Sequence, residues 1–299
     1  VLLNRRSFAP AGARLIEQAG ETKRGAAVLL IDLDNFKQVN DLYGHKTGDR
    51  LLIETAVRMS TLMPAGAALA RLGGDEFACL VNYDTRIPDK LDQLAVMLIE
   101  TISKPYDIDA GSFEVTVSIG IAATGAALDP ADREECAQTL IHHADIAMYH
   151  AKKQGRNRHA WFEATMESEL RFRNELETGI RRGIAAGEFV PYYEQQIDLQ
   201  TGELVGFEML ARWNSPQLGL VSPDIFIPIA EEIGVIGELS ECLMRQAFSD
   251  AKAWDPTLTL SINISPLQLR DPWFSQKLLR LLVESGFPPS RLDIEITES

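Results

Sequence analysis

The chain has 299 residues and is 45% hydrophobic, so it can bury substantial cores, and its length predicts two domains. Its 29 basic and 43 acidic residues give a formal net charge of −14, so a nucleic acid polymer is not expected as a partner. The three cysteines form no paired motif, which argues against a disulfide framework and against a zinc site.

The first half of the chain alternates strand and helix patterns. A continuous apolar run predicts a buried strand, apolar residues four apart predict helices, and Gly73-Gly74 between two β-prone runs is a hairpin signal. In chain order the predicted elements are a strand at 26–33, a helix at 47–63, strands at 68–72 and 77–83, a helix at 88–102, a strand at 113–121, and a helix from Asp129-Pro130 to about Lys153. This order predicts an α/β sandwich with helices packed on an antiparallel-rich sheet.

After a charged, mostly helical connector at 163–186, the pattern changes to repeated strand–helix units. The predicted strands are 190–199, 204–213, 258–264 and 292–297, and the predicted helices are 223–232, 235–254 and 272–285. Buried strands that alternate with helices indicate parallel β/α architecture of the barrel type. Four strands are too few to close an eight-stranded barrel, so the sequence predicts an incomplete (β/α)8 barrel.

Both ends of the chain indicate an excerpt of a longer protein. The chain begins at Val1 without an initiating Met and ends at Ser299 within a strand-like run. The missing N-terminal part of the parent could carry a membrane or sensor segment. The apolar stretches of the chain itself are shorter than the roughly 20 residues that cross a bilayer.

Acidic residues are concentrated at two predicted strand ends in the first half. Asp32 and Asp34 end the first buried strand, and Asp75 and Glu76 lie in the hairpin tip. Carboxylates at neighbouring strand ends favour a Mg²⁺ site, whereas the alternative interpretation is that they are solvated turn residues. Asp32 and Asp34 need not both face such a site, and we expect that one of them does.

Four motifs in order resemble the GGDEF family of diguanylate cyclases, and the resemblance covers nearly all of residues 1–162. They are the segment 31–41, Gly44-His45 with Gly48-Asp49, the signature Gly-Gly-Asp-Glu-Phe at 73–77, and the segment 144–157. The resemblance implies an enzyme that joins two GTP molecules into cyclic di-GMP. Since each domain holds one GTP, it also implies a homodimer through this domain.

The resemblance assigns roles to the matching residues. Asp32, Asp75 and Glu76 would be catalytic; Asp32, Asp75 and the Leu33 carbonyl would hold two Mg²⁺ (or Mn²⁺) ions; Asn40 and Asp49 would read guanine; and Phe36, Lys37, Lys152 and Arg156 would contact the triphosphate. Gly73 and Gly74 would let the backbone approach the nucleotide, because no Cβ intervenes. The spacing of four predicts that Lys152 and Arg156 share one helix face and clamp phosphate together; alone, such a pair would more often be a solvated helix end.

One stretch departs from the family pattern. Many members carry an Arg-x-x-Asp product-binding site shortly before the signature, and here the same stretch reads Pro64-Ala65-Gly66-Ala67. The charges are missing, so we expect no feedback inhibition through that site.

In the second half, Glu208, Asn263 and Glu295 each lie toward the C-terminal end of a predicted parallel strand. That is the face where β/α barrels assemble active sites, and three oxygen ligands there favour a hard metal ion. From about Glu175 onward the chain resembles the EAL family of cyclic-di-GMP phosphodiesterases, through segments 192–193, 206–213, 226–228, 262–265 and 295–299.

The EAL resemblance implies metal ligation by the three residues and a phosphate contact by Arg212, whose alternative role is a salt bridge at the barrel rim. Met209 replaces the family's Ala, which leaves the ligating acid in place, and Glu194-Gln195 replaces Gln-Pro. The family's later metal acids, its Lys and its general base would lie beyond Ser299. We therefore expect hydrolysis of cyclic di-GMP to pGpG only from the complete parent.

The predicted domains are a GGDEF domain at 1–162, a helical linker at 163–175 and the N-terminal part of an EAL domain at 176–299. Three interpretations stay open: a bifunctional enzyme, a phosphodiesterase regulated by GTP at the first domain, and a catalytically silent nucleotide receptor. The two resemblances imply a bacterial cytoplasmic protein, whose parent could be anchored to the inner membrane.

Overall fold

The computed structural model describes residues 2–108, 111–124 and 133–296, without the side chains of residues 133 and 134. The chain divides into two compact units, residues 1–170 (the first unit) and 171–299 (the second unit). The domain limits given above stay a prediction. The predicted helix start at Asp129-Pro130 and the predicted strand end at Thr297 lie outside the described residues.

The first unit is a six-stranded mixed sheet with helices on both faces. In chain order its elements are β1 (Leu3–Asn4), α1 (Arg5–Glu21), β2 (Gly25–Leu33), α2 (Phe36–Tyr43), α3 (His45–Leu62), β3 (Ala68–Gly73), β4 (Glu76–Tyr83), α4 (Asp89–Ile102), β5 (Tyr106–Ile108), β6 (Gly111–Phe113), β7 (Val117–Ala123), α5 (Arg133–Lys153), β8 (Arg158–Trp161) and the start of α6 (Ala164–Ala186). The sheet order is β1-β3-β4-β2-β7-β8. Strand β2 runs antiparallel to both of its neighbours, as the sequence predicts for this α/β sandwich.

The two faces of β2 enter different cores. All nine residues of the strand are buried. Ile31 lies in the core that also holds Leu51 of α3 and Leu94 of α4, whereas Leu30 lies in the core formed with α1 and α5. Because side chains alternate, Asp32 continues the Leu30 side and faces α5.

Several elements of the first unit differ from the sequence prediction. Helix α1 was not predicted, although Asn4 and Ser7 form a capping box that could have marked its start. The strand predicted at 113–121 is divided into β6 and β7, with residues 114–116 between them. The short elements α2 and β8 were also missed, because neither is long enough to show a periodicity.

The second unit contains the end of α6 and a five-stranded sheet. Its further elements are β9 (Phe189–Ile197), β10 (Leu204–Ser215), β11 (Gly219–Val221), α7 (Pro223–Glu232), α8 (Ile236–Ala251), β12 (Thr259–Ile264), α9 (Pro266–Leu269), α10 (Phe274–Ser285), a 3₁₀ helix (Pro289–Arg291) and β13 (Leu292–Ile296). Strands β10, β12 and β13 are parallel neighbours, which confirms the β/α prediction for this part.

The prediction of a parallel sheet is wrong for β9, which pairs antiparallel with β10. The connection at 198–203 is a tight turn in which the Asp198 carboxylate accepts hydrogen bonds from the N–H groups of Gln200 and Thr201. Six residues are too few for the crossover that parallel strands need, so this first pair is a hairpin.

None of the helices in the described part of the chain combines the length and the apolar character that crossing a membrane requires.

Candidate functional sites

Asp32 lies at the edge of the sheet in the first unit and is almost fully buried, with 7% of its surface exposed. Its register partner across the antiparallel pair is Glu76. The Lys152 ammonium lies 2.9 Å from Asp32 Oδ1. Burial raises the pKa of Asp32, the negative charges of Asp75 and Asp34 add to that rise, and Lys152 opposes it. The site therefore favours a cation beside this carboxylate.

The hairpin tip that carries Asp75 and Glu76 is tied to the sheet from two sides. Gly74 has φ +52°, and a Cβ built on Gly73 or Gly74 meets nothing within 4 Å, so one face of the tip is open. The Arg71 guanidinium donates to the Gly74 carbonyl through Nε and Nη2, at 3.0 and 2.8 Å. The Leu33 N–H donates to the Asp75 carbonyl at 3.4 Å. Arg71 was not among the predicted site residues, and its place just before the glycines was the available signal.

The donor atoms at this edge fit a hard divalent cation. Within the described ranges, no group of three or more His, Cys, Asp or Glu side chains converges to hold a metal ion by itself. Mg²⁺ is commonly bound by one or two carboxylates and completed by substrate phosphates and water. Asp32, Asp75 and the Leu33 carbonyl meet that description, since all three belong to two segments that are hydrogen-bonded to each other.

Asp34 is placed differently from Asp32. Its carboxylate accepts hydrogen bonds from Thr116 Oγ1 at 2.7 Å, Ser118 Oγ at 2.8 Å and the Asn157 N–H at 3.2 Å. Both oxygens are therefore engaged by protein donors. Of the two acids that the sequence left as alternatives, Asp34 is therefore the one held by protein donors, and Asp32 is the one that lies beside a cation.

The predicted guanine-reading residues meet where α2 packs on α3. A Cβ on Gly48 would lie 2.0 Å from Asn40 Oδ1, so the Asn40 side chain rests directly on the bare backbone of Gly48. Asp49 follows on α3 and is exposed, as is Lys37 on the first turn of α2. Phe36 is only 7% exposed and lies in the core, so its contribution to phosphate binding is limited to its main chain at the start of α2.

Lys152 and Arg156 do not share a helix face, so that prediction is wrong. Helix α5 ends at Lys153, and Gly155 and Arg156 have φ values of +113° and +61°. A helix cannot continue through such left-handed residues, and Arg156 therefore belongs to the turn before β8. Lys152 is directed at Asp32, whereas Arg156 is exposed.

In the second unit, the structure brings together the three predicted metal ligands. Glu208 and Asn263 are joined by a hydrogen bond of 2.6 Å from Asn263 Nδ2 to Glu208 Oε1, and Asn263 is the register partner of Glu295. Gln196 of β9 donates to Glu295 at 3.4 Å. A half-turn of the Asn263 amide would present its oxygen beside two carboxylates, which suits a hard divalent ion.

A cavity of about 320 Å³ adjoins these residues and is lined by Glu208, Asn263 and Glu231 among others. Glu231 was not predicted, and it accepts a hydrogen bond from Ser265 just beyond β12. Arg212 lies four residues after Glu208 on the same face of β10, with its guanidinium 5.4 Å from the centre of the Tyr192 ring. It forms no ion pair with any described residue, so the alternative of a rim salt bridge has no support here.

The whole chain was compared with known proteins. Residues 1–158 match the family model described as diguanylate cyclase, GGDEF domain, and residues 177–299 match the EAL domain. An uncharacterized signaling protein of Caulobacter vibrioides is 38% identical over 298 residues, which is 100% of this chain and 36% of that protein. The bifunctional diguanylate cyclase/cyclic di-GMP phosphodiesterase MucR of Pseudomonas aeruginosa is 37% identical over 288 residues, covering 95% of this chain and 41% of MucR.

The first unit also has a structural counterpart. A solved structure from Pseudomonas aeruginosa, comprising only the GGDEF domain of TpbB (YfiN), has a TM-score of 0.51 and 34% identity, and covers 57% of this chain and 95% of that one. The chain spans less than half the length of the two curated relatives. With one family model matching more than half of its residues, the chain belongs to the GGDEF family of diguanylate cyclases and carries EAL-domain sequence in its second half.

Proposed function

We propose that the first unit is an active diguanylate cyclase, which joins two GTP molecules into cyclic di-GMP and releases pyrophosphate. The observation that carries the proposal is the buried Asp32 carboxylate, which lies beside the Asp75–Glu76 hairpin tip and faces Lys152. A buried acid that faces a cation at an open glycine tip is suited to a metal-bound triphosphate.

The surrounding residues define how one GTP would be held. The Asn40 amide would donate and accept hydrogen bonds along the guanine edge, and the Asp49 carboxylate would accept them. Lys37 would reach the phosphates from the first turn of α2. Lys152 and Arg156 would neutralise the triphosphate from the end of α5 and from the turn that follows it.

The reaction forms two bonds, one from each ribose 3′-oxygen to the α-phosphorus of the other GTP. It breaks the bond from each α-phosphorus to its pyrophosphate, so two pyrophosphates leave and each 3′-hydroxyl gives up its proton. Asp32, Asp75 and the Leu33 carbonyl would hold Mg²⁺ or Mn²⁺, which supplies charge neutralisation of the phosphates when bound. Glu76, the register partner of Asp32, would hold the metal site in place or accept the proton of the attacking hydroxyl.

Two copies of the chain would take part in each turnover. The first unit contains one set of these residues, so it would hold one GTP, and the attacking and leaving groups would come from two copies. We therefore propose a homodimer, formed through the first unit with the two nucleotides face to face.

A second candidate function is regulation of phosphodiesterase activity by GTP without synthesis. The observation that favours it is that the second unit brings a set of oxygen-bearing side chains together on the neighbouring strands β10, β12 and β13. In that account Glu208, Asn263 and Glu295 would hold the metal ion of a phosphodiesterase site in the complete protein, and Arg212 would bind a substrate phosphate.

Chromatography of nucleotides after incubation of the complete parent protein with Mg²⁺ and either GTP or cyclic di-GMP separates these candidates. We expect cyclic di-GMP from GTP, and an Asp75→Ala variant that binds GTP but forms no product. Synthesis retained by that variant would remove Asp75 from the mechanism. Hydrolysis of cyclic di-GMP stimulated by GTP, without synthesis, would favour the second candidate.

A further inference from the structure

Asp34 connects the ends of three neighbouring strands. It directly follows β2, Thr116 directly precedes β7, Ser118 is the second residue of β7, and Asn157 is the residue before β8. These three strands are neighbours in that order in the sheet. The Asp34 N–H also donates to the Thr116 carbonyl at 2.9 Å. The side chain is thus a buried junction between strand ends, with 4% of its surface exposed.

The segment that Asp34 holds has an unusual backbone. Arg156 and Asn157 have φ values of +61° and +49°, and both follow Gly155 at +113°. Side chains other than glycine rarely adopt this region, so two such residues in succession need support from hydrogen bonds. The Arg156 N–H donates to the Ala151 carbonyl of α5 at 3.2 Å, and the Asn157 N–H donates to Asp34 at 3.2 Å, so Asp34 holds the end of the turn that leads into β8. The only described carboxylate that bonds to the N–H of Asn157 is that of Asp34.

This turn is also where the phosphate-binding arginine is placed. Arg156 is exposed and lies one residue before the amide that Asp34 accepts. A rotation of the turn would move the guanidinium, whereas Lys152 is placed separately by the last turn of α5 and by Asp32. Small errors in the placement of such groups weaken substrate binding and slow the reaction, because binding groups act only within a narrow range of geometry.

We infer that Asp34 is a positioning residue for triphosphate binding: it fixes the left-handed turn that presents Arg156, and it does not hold the metal ion. This inference rests on the proposed function of the first unit, since it assigns Arg156 to GTP. Its basis is that both Asp34 oxygens are occupied by three protein donors.

Two substitutions distinguish positioning from metal binding. Asp34→Asn keeps the shape and loses the charge; its amide oxygen can replace Oδ2 for Thr116 and Asn157, while its amide nitrogen donates to the Ser118 hydroxyl. Asp34→Glu keeps the charge, but its longer side chain does not fit a junction that is 4% exposed. A metal ligand would tolerate Glu better than Asn, and a hydrogen-bonded junction would tolerate Asn better than Glu.

The experiment measures kcat and KM for GTP, together with binding of a fluorescent GTP analogue, in the full chain and its variants. We expect Asp34→Glu and Asp34→Ala to weaken GTP binding about 10- to 100-fold with a smaller change in kcat. We expect Asp34→Asn to stay within about threefold of the unsubstituted chain and to keep its Mg²⁺ requirement. Asp92→Ala is the matched control, because Asp92 accepts hydrogen bonds from Trp161 and His159 of the same strand β8.

The inference would be overturned if Asp34→Asn lost both activity and Mg²⁺ binding while Asp34→Glu retained one of the two. Unchanged GTP binding in Asp34→Ala would also overturn it. Amide hydrogen exchange at Asn157 adds a readout that needs no activity. We expect faster exchange in Asp34→Glu than in Asp34→Asn, and equal rates would count against the inference. If the unsubstituted chain binds GTP but makes no cyclic di-GMP, the proposed function fails while the binding and exchange measurements still test Asp34.

Discussion

The contact between Gly48 and Asn40 allows a test in which stability and nucleotide binding change differently. A Cβ at position 48 would lie 2.0 Å from Asn40 Oδ1 and 3.0 Å from its Cγ. Carbon–oxygen contacts settle at about 3.3 Å or more, so the Gly48→Ala variant must displace the Asn40 oxygen by roughly 1.3 Å. A displacement of that size breaks a hydrogen bond.

Loss of the Asn40 contact to guanine would cost about 1–3 kcal/mol, which is roughly a 5- to 150-fold weaker affinity for GTP. The fold itself loses less, although the same Cβ would lie 3.1 Å from Phe36 Cζ and that ring must shift by a few tenths of an ångström. Gly48 lies in the interior of α3, where Ala is up to about 1 kcal/mol more favourable than Gly, and Asn40 is half-buried at the surface and can rotate outward. We therefore expect a free energy of unfolding within about 1 kcal/mol of the unsubstituted chain.

The assay is titration of a fluorescent GTP analogue, paired with urea unfolding. Gly20→Ala is the matched control, since Gly20 lies in α1 and a Cβ there meets nothing within 4 Å. We expect the control to bind GTP normally. Undiminished GTP affinity in Gly48→Ala would refute the assignment of Asn40 to the guanine edge, and equal losses in both variants would indicate a general effect on the fold.

Three further predictions concern the first unit. Burial raises the pKa of the Cys79 thiol to about 12, so the stability from the neutral thiol is fully present below the unfolded pKa of about 8.5 and is lost as the pH rises through 12. Within that window the free energy of unfolding, measured in urea, should fall with rising pH relative to that of Cys79→Ala, and parallel curves would contradict this. Arg58 donates to the carbonyls of Lys104 and Pro105 at 2.5 and 2.7 Å, and its guanidinium stacks 3.6 Å from the Tyr106 ring centre. Arg58→Ala should therefore lower the free energy of unfolding, measured in urea, by about 2–4 kcal/mol. A decrease below about 0.5 kcal/mol would show that solvent replaces these contacts. Titration calorimetry with the catalytic site filled by a GTP analogue should detect no tight cyclic di-GMP binding at residues 64–67. Such binding would contradict the expectation that the product does not inhibit the enzyme through that stretch.

Much of the first unit could be predicted because local and tertiary signals agree there. The apolar run at 26–33 is buried at every position, and the Gly73-Gly74 signal marks a real hairpin. The acids predicted to bind metal do lie at strand ends, on two segments that are hydrogen-bonded to each other. Which acid faces the site did not follow, because the choice depends on Thr116 and Asn157, which lie 82 and 123 residues from Asp34.

The errors also have identifiable physical causes. Spacing by four placed Lys152 and Arg156 on one helix, although Gly155 ends the helix between them. In the second unit, alternation of strands and helices suggested that all strands are parallel, but the turn at 198–203 is too short for a crossover. The contact of Glu231 with the Ser265 hydroxyl is one that no sequence pattern reveals, whereas the place of Arg71 just before the glycines could have marked its contact with the Gly74 carbonyl.

Synthesis by two copies of the chain is tested by the initial rate of cyclic di-GMP formation from GTP and Mg²⁺, measured over a range of protein concentrations. If two copies each contribute one GTP, the rate per chain rises with concentration until the dimer is saturated, and adding excess Asp75→Ala chain lowers it by forming mixed dimers. A rate per chain that does not depend on concentration and does not respond to the variant would contradict synthesis by two copies. A complete absence of product, with GTP bound, would contradict the assignment of cyclase activity itself.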